Sequence, residues 1–220
     1  MSLALLTISA AALSLAISAT RAGTARDVIF NPTPAVAASR VSAAPDRYKI
    51  DAGRSQFTVR AFVGGMLSAF AHNHTIAVRN FTGEARLEDA SVQISVRADS
   101  LAVTDKVSAK DKQEIERKMR DDVLETSRYA EITFRSVNVQ AQKTGNGQFK
   151  VRIEGDLTLH GVKRREIINA QVSVNGDTIR GRGEFQIRQS DYKIKPPSVG
   201  MGTIKVKDTL KLSFDILAHK

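Results

Sequence analysis

Two of the chain's four histidines stand two residues apart in "SAFAHNHTIAVRNF", Ser68 to Phe81. In an extended strand side chains alternate between faces, so His72 and His74 share one face with Phe70, Ile76 and Val78. Asn73, Thr75, Ala77 and Arg79 take the other. Imidazoles at such spacing lie about 7 Å apart, a separation that two ligands of one metal ion close by bending inward. A metal needs a third ligand, and His160 and His219 are the only other imidazoles. The pair also suits hydrogen bonding to backbone or water at a strand end. A third role is contact with the polar head of a ligand held in an apolar cavity. The pattern alone leaves all three open.

Other chemistry is thinner. The chain has no cysteine, which excludes disulfides, thiolate metal sites and a Cys nucleophile. No Gly-x-Ser-x-Gly elbow, His-Glu-x-x-His pair or glycine-rich phosphate loop is present. Asp51, Asp99, Asp105, Asp191 and Asp208 fall at apparent strand ends, where turn formation accounts for them. Enzymatic activity is not expected. Two cationic groups remain: Lys163, Arg164 and Arg165 in "GVKRRE", and Lys193 and Lys195 in "YKIKPP". They are candidates for an anionic head group or an anionic membrane surface. The formal net charge of +10 favours partners of that sign. With nine Phe, three Tyr and no Trp, nothing marks a base-stacking platform, and nucleic acid is not expected as a partner.

The elements that position these residues are mostly strands. Residues 1–22 read as a signal peptide, because Leu3 to Ala19 is apolar over a signal-like length and small residues come next. That implies a periplasmic or secreted protein. Residues 23–46, rich in Ala, Pro and Ser, read as a disordered tether. From Arg47 the period is two. Phe57 and Val59 alternate with Thr58 and Arg60, and Val92 and Ile94 with Gln93 and Ser95. Val151 and Ile153 alternate with Arg152 and Glu154. Phe185 and then Leu212 and Phe214 continue the pattern, which predicts an antiparallel barrel or sandwich. One segment breaks the period. Ser108-x-x-Asp111 has the form of a capping box, and Ile115, Met119 and Val123 recur at spacing four, predicting one amphipathic helix packed on the strands.

The strings "YKIDAGRSQFTV", "SRYAEITFRS", "IEGDLTLHGVKRREI" and "GEFQIRQSDYKIK" occur in the order seen in YceI-like proteins, and the chain resembles that family from Arg47 to Ala218. The most specific pieces are Gly155-Asp156-Leu157-Thr158-Leu159-x-Gly161-Val162 and Tyr129-x-Glu131-Ile132-Thr133-Phe134. Ala130 stands where the family usually has Pro. The resemblance implies an all-β, lipocalin-like, eight-stranded antiparallel barrel over residues 47–219, with one amphipathic helix and no cofactor. It implies a non-enzymatic exported carrier of a polyisoprenoid, an isoprenoid quinone or a fatty-acyl amide. In such a barrel Phe57, Val59, Val92, Ile94, Phe134, Val151, Ile153, Phe185, Leu212 and Phe214 are the expected cavity lining. His72, His74, Lys193 and Lys195 are the head-group candidates. The alternative is a metal- or haem-associated periplasmic protein that uses His72 and His74.

Overall fold

The computed structural model describes residues 46–65, 73–199 and 203–220. The expected signal segment, the tether as far as Pro45, and His72 lie outside the described residues. Twelve strands are described: β1 (Arg47–Ile50), β2 (Gln56–Gly64), β3 (His74–Val78), β4 (Phe81–Arg86), β5 (Ser91–Arg97) and β6 (Leu101–Val103), then β7 (Glu131–Gly145), β8 (Gln148–Leu159), β9 (Val162–Asn175), β10 (Thr178–Arg188), β11 (Ser198–Val199) and β12 (Ile204–His219). The helix α1 (Ala109–Lys118) lies between β6 and β7.

Three pairs of short strands act as three long ones. β1 and β2 both pair with β12, β3 and β4 pair with β2 and β1, and β6 and β5 pair with β3 and β4. The result is eight antiparallel staves in chain order, from β1–β2 through β7, β8, β9 and β10 to β12. Pairing of β12 with β1 and β2 closes the ring. The expected eight-stranded barrel is the observed one. Closure removes the outermost edges that an open meander would leave unpaired.

Local chemistry sets the joints. At the β8–β9 hairpin, His160 (φ 51°) and Gly161 (φ 71°) form the two-residue turn. Positive φ at both central positions matches the twist of the flanking strands. Ser108 caps α1: its Oγ accepts from the Asp111 amide at 3.1 Å and donates to the Asp111 carboxylate at 2.7 Å. Beyond Lys118 the helix widens into a π turn, Met119–Val123. The chain just after that turn meets the β8–β9 hairpin through Glu125 and His160, so α1 and this hairpin share one barrel end. The β7–β8 and β9–β10 turns lie at the opposite end, where the Val174 amide donates to the Gly147 carbonyl and the Lys220 amide to that of Asp177. The β4–β5 turn is at that end too.

The ring is not evenly laced. β9 and β10 pair only from Thr178↔Asn175 to Gly183↔Ala170. Above that, a short helical turn at Gln189–Tyr192 fills the splay. There Tyr192 is 0% exposed and its hydroxyl donates to the Glu166 carboxylate at 2.6 Å. Burial chiefly, and then Glu166, raise the Tyr192 pKa above the ordinary phenol value. The second splay lies between β5 and β7, which pair only from Gln93↔Arg135 to Arg97↔Glu131.

Candidate functional site

Alternation sends one apolar residue in two to the inside of each stave, and the inner faces enclose a cavity of about 890 Å³. Its lining runs along β12 from Ile204 to Ala218, roughly 35 Å of barrel length at the usual strand tilt. The structure brings all ten expected lining residues to this wall. Phe57 and Val59 stand on β2, Val92 and Ile94 on β5, Phe134 on β7, Val151 and Ile153 on β8, Phe185 on β10, and Leu212 and Phe214 on β12. Ile115, Met119 and Val123, the stripe read as helix packing, also line the cavity and cover it at the α1 end.

Sequence reading missed part of the wall. In β7 the register steps from Ser136↔Gly155 to Asn138↔Glu154, so Val137 is an extra, bulged residue. A bulge shifts the inward–outward phase of the residues beyond it. Counting by two from Phe134 puts Asn138 and Gln140 inside, whereas Val139 and Ala141 line the cavity. The bulge has no local signature in "RSVNVQ"; the partner strand creates it.

Two inner positions are glycines because a ring needs their space. At Gly155 an added Cβ would stand 2.6 Å from Phe134 Cε2 and 2.7 Å from the Arg135 carbonyl oxygen. At Gly183 it would stand 2.7 Å from Phe214 Cζ and 2.5 Å from the Asn169 carbonyl oxygen. The rings therefore lie against the wall rather than across the cavity.

Polar groups on the lining are few. His74, at the start of β3, faces the cavity. Its Nδ1 lies 2.9 Å from Asp105 Oδ2, and Asp105 also accepts the Thr75 amide at 3.0 Å. An ionised carboxylate only accepts, so Nδ1 carries the proton; in the neutral ring Nε2 is then an acceptor. Nε2 has no partner among the described residues. Asp105, read from sequence as a turn former, is thus the residue that orients His74. Nothing in its position in "VTDKVS" signals that, because the contact spans 31 residues. Among the described residues no three His, Asp or Glu side chains converge as a metal site requires. His160 binds Glu125 at 3.1 Å and lies 4.3 Å from the Tyr129 ring.

The cationic candidates separate. Lys193 and Lys195 are exposed and do not line the cavity; Ile194, between them, does. Arg165 is held by Asp156 at 2.7 Å and Glu154 at 3.1 Å, and Arg164 lies 3.8 Å from Asp191. Those two guanidiniums are engaged by acids. Chemically the lining is a largely apolar tube with an oriented imidazole toward the α1 end and a few other polar side chains, among them Arg86, Lys118 and Gln189.

No curated protein matches the chain in sequence. The fold is similar to the crystal structure of Burkholderia cenocepacia BcnA, with a TM-score of 0.59 at 19% identity, covering 76% of this chain and 98% of that one. It is also similar to a polyisoprenoid binding domain from Saccharophagus degradans implicated in plant cell wall breakdown. There the TM-score is 0.58 at 15% identity, covering 80% of this chain and 99% of that one. Residues 48–218, the span of the closed ring, match the YceI-like domain, and the chain belongs to the YceI-like family.

Proposed function

We propose that the protein is an exported, non-enzymatic carrier that holds a long apolar chain lengthwise in its barrel. A polyisoprenoid, an isoprenoid quinone or a fatty-acyl amide has the required shape. The observation that carries this reading is the cavity itself: about 890 Å³ walled by aliphatic and aromatic side chains along the barrel's length. Each methylene buried there contributes about 0.8 kcal/mol, so one five-carbon prenyl unit supplies about 3–4 kcal/mol before ordering costs. Chain binding needs only such a wall. The Saccharophagus degradans domain, described as polyisoprenoid-binding, supports the ligand class, and the apolar run Leu3–Ala19 supports export.

The imidazole of His74 is the head-group contact in this reading. A free Nε2 acceptor suits a hydroxyl or N–H donor. Lys193 and Lys195, with Lys163, are the candidate cations not held in an ion pair among the described residues and are left to meet an anionic lipid surface.

Organic extraction of the purified protein, then mass spectrometry, tests the reading. A chain lipid near one per protein is expected. Ile153→Arg, which puts a charge in mid-cavity, should abolish it while circular dichroism stays that of a folded barrel. A folded Ile153→Arg protein that retains its lipid, or a native protein that carries none and binds none, refutes the carrier. His74→Ala should change which lipid co-purifies more than how much.

A further inference from the structure

The ring has two splays, and the fold treats them differently. The β9–β10 splay is plugged by fully buried Tyr192, tied to Glu166. The β5–β7 splay has no such plug among the described residues. Below Gln93↔Arg135 the Val92 amide turns to the Ser136 hydroxyl at 2.9 Å instead of a strand carbonyl. After the Val137 bulge, β7 runs on to Gly145 paired only with β8. Its other edge has no strand beside it among the described residues.

Both lips of this gap carry apolar residues that belong to the cavity wall, beside the polar Arg86 and Ser91 on the β4–β5 side. On the β4–β5 turn, Leu87 lines the cavity while 46% exposed, and Ala90 lines it while exposed. Across the gap, Val139 and Ala141 line it from the overhanging hairpin. A residue that is at once cavity wall and solvent-exposed marks a place where the two spaces join. Leu87 is one of three large hydrophobic side chains exposed among the described residues, and Val137, at the β7 bulge, is another, so the exposed apolar surface gathers at this gap.

We propose that the gap between β5 and the β7–β8 overhang is an outlet through which the tail of a bound chain leaves the barrel. The head end then lies toward His74, and the protein accepts chains longer than its cavity. This inference rests on the carrier reading, and the experiment separates the two. An enclosed cavity imposes a length limit, because a chain that overfills it must fold back or strain the wall. An outlet imposes none.

Affinity is measured across a series of fatty-acyl amides and a series of prenols of increasing length, by displacement of a fluorescent fatty-acyl probe. The expected profile rises with length and then stays level. Ala90→Trp with Ala141→Trp, which fills the gap from both lips, should cost the longest chains at least about tenfold more affinity than it costs the shortest. The wild-type length profile needs no variant, so a double mutant that fails to fold does not remove the test. A sharp loss of affinity beyond one length in the wild type overturns the outlet but leaves the carrier standing. Failure of every chain to bind removes both. A dimer in sedimentation, with amides of residues 137–145 protected from exchange, also overturns the outlet, since a second copy would then cover the gap.

Discussion

The ring of Phe134 lies where a side chain at Gly155 would stand, one residue of β7 seated on a bare backbone position of β8. Phe214 takes the same seat over Gly183 across the β10–β12 pair. Glycine inside a strand is ordinarily a liability, lacking a side chain to pack. Here the pairing spares the cavity two rings' worth of volume while keeping the aromatic surface on its wall.

Gly155→Ala should therefore destabilise the barrel by about 1–3 kcal/mol, the usual cost of overpacking. The clash includes the Arg135 carbonyl as well as the ring, so Phe134→Leu should restore only part of the loss. Urea unfolding of the two single variants and the double measures the coupling. A Gly155→Ala protein as stable as wild type would contradict this packing.

The β7 bulge makes an opposite prediction for neighbours. Val139→Asp should weaken chain binding strongly, since it places a carboxylate on the cavity wall. Asn138→Asp should leave binding unchanged. An unbulged strand would give the reverse order, so one displacement assay on two variants decides the phase.

Removing the Tyr192 hydroxyl should cost more than its size suggests. Tyr192→Phe leaves the Glu166 carboxylate without its 2.6 Å donor inside the β9–β10 splay. A loss of about 1–3 kcal/mol in urea unfolding is expected, with ligand binding retained. Stability equal to wild type would mean that the plug works by its ring alone.

Acid stability should depend on Asp215. Arg180 first, and Arg182 after it, hold its carboxyl down to about 2, against about 3.9 in an unfolded chain. A depressed pKa stabilises the fold above the unfolded value and is lost as pH falls through the folded one. Asp215→Asn should thus be less stable than wild type at neutral pH, with the gap closing between about pH 4 and 2. Because the carboxylate is 29% exposed, solvent screens part of the effect. Denaturation midpoints across that range, parallel for both proteins, would contradict the assignment.

What the chain's own order determined is whatever repeats over a few residues. The period of two set which residues of β2, β5, β8 and β12 face inward. Ser108 and Asp111 marked the start of α1, and the motif strings around Tyr129 and Gly155 were sufficient for the family. The ten cavity residues were legible because each sits in an unbroken stretch of strand.

Tertiary structure decided whatever depends on register between distant strands. Val137 is a bulge only because β8 offers one residue against two. Asp105 orients His74, 31 residues away, because β6 pairs with β3, and Glu154 and Asp156 occupy Arg165 through the β8–β9 register. Closure of β12 on β1 and β2 turns ten apolar residues into one wall, and the rings resting on Gly155 and Gly183 keep the space within it open. Periodicity reports which face a side chain takes. It carries no record of what stands opposite, and a cavity is defined by what stands opposite.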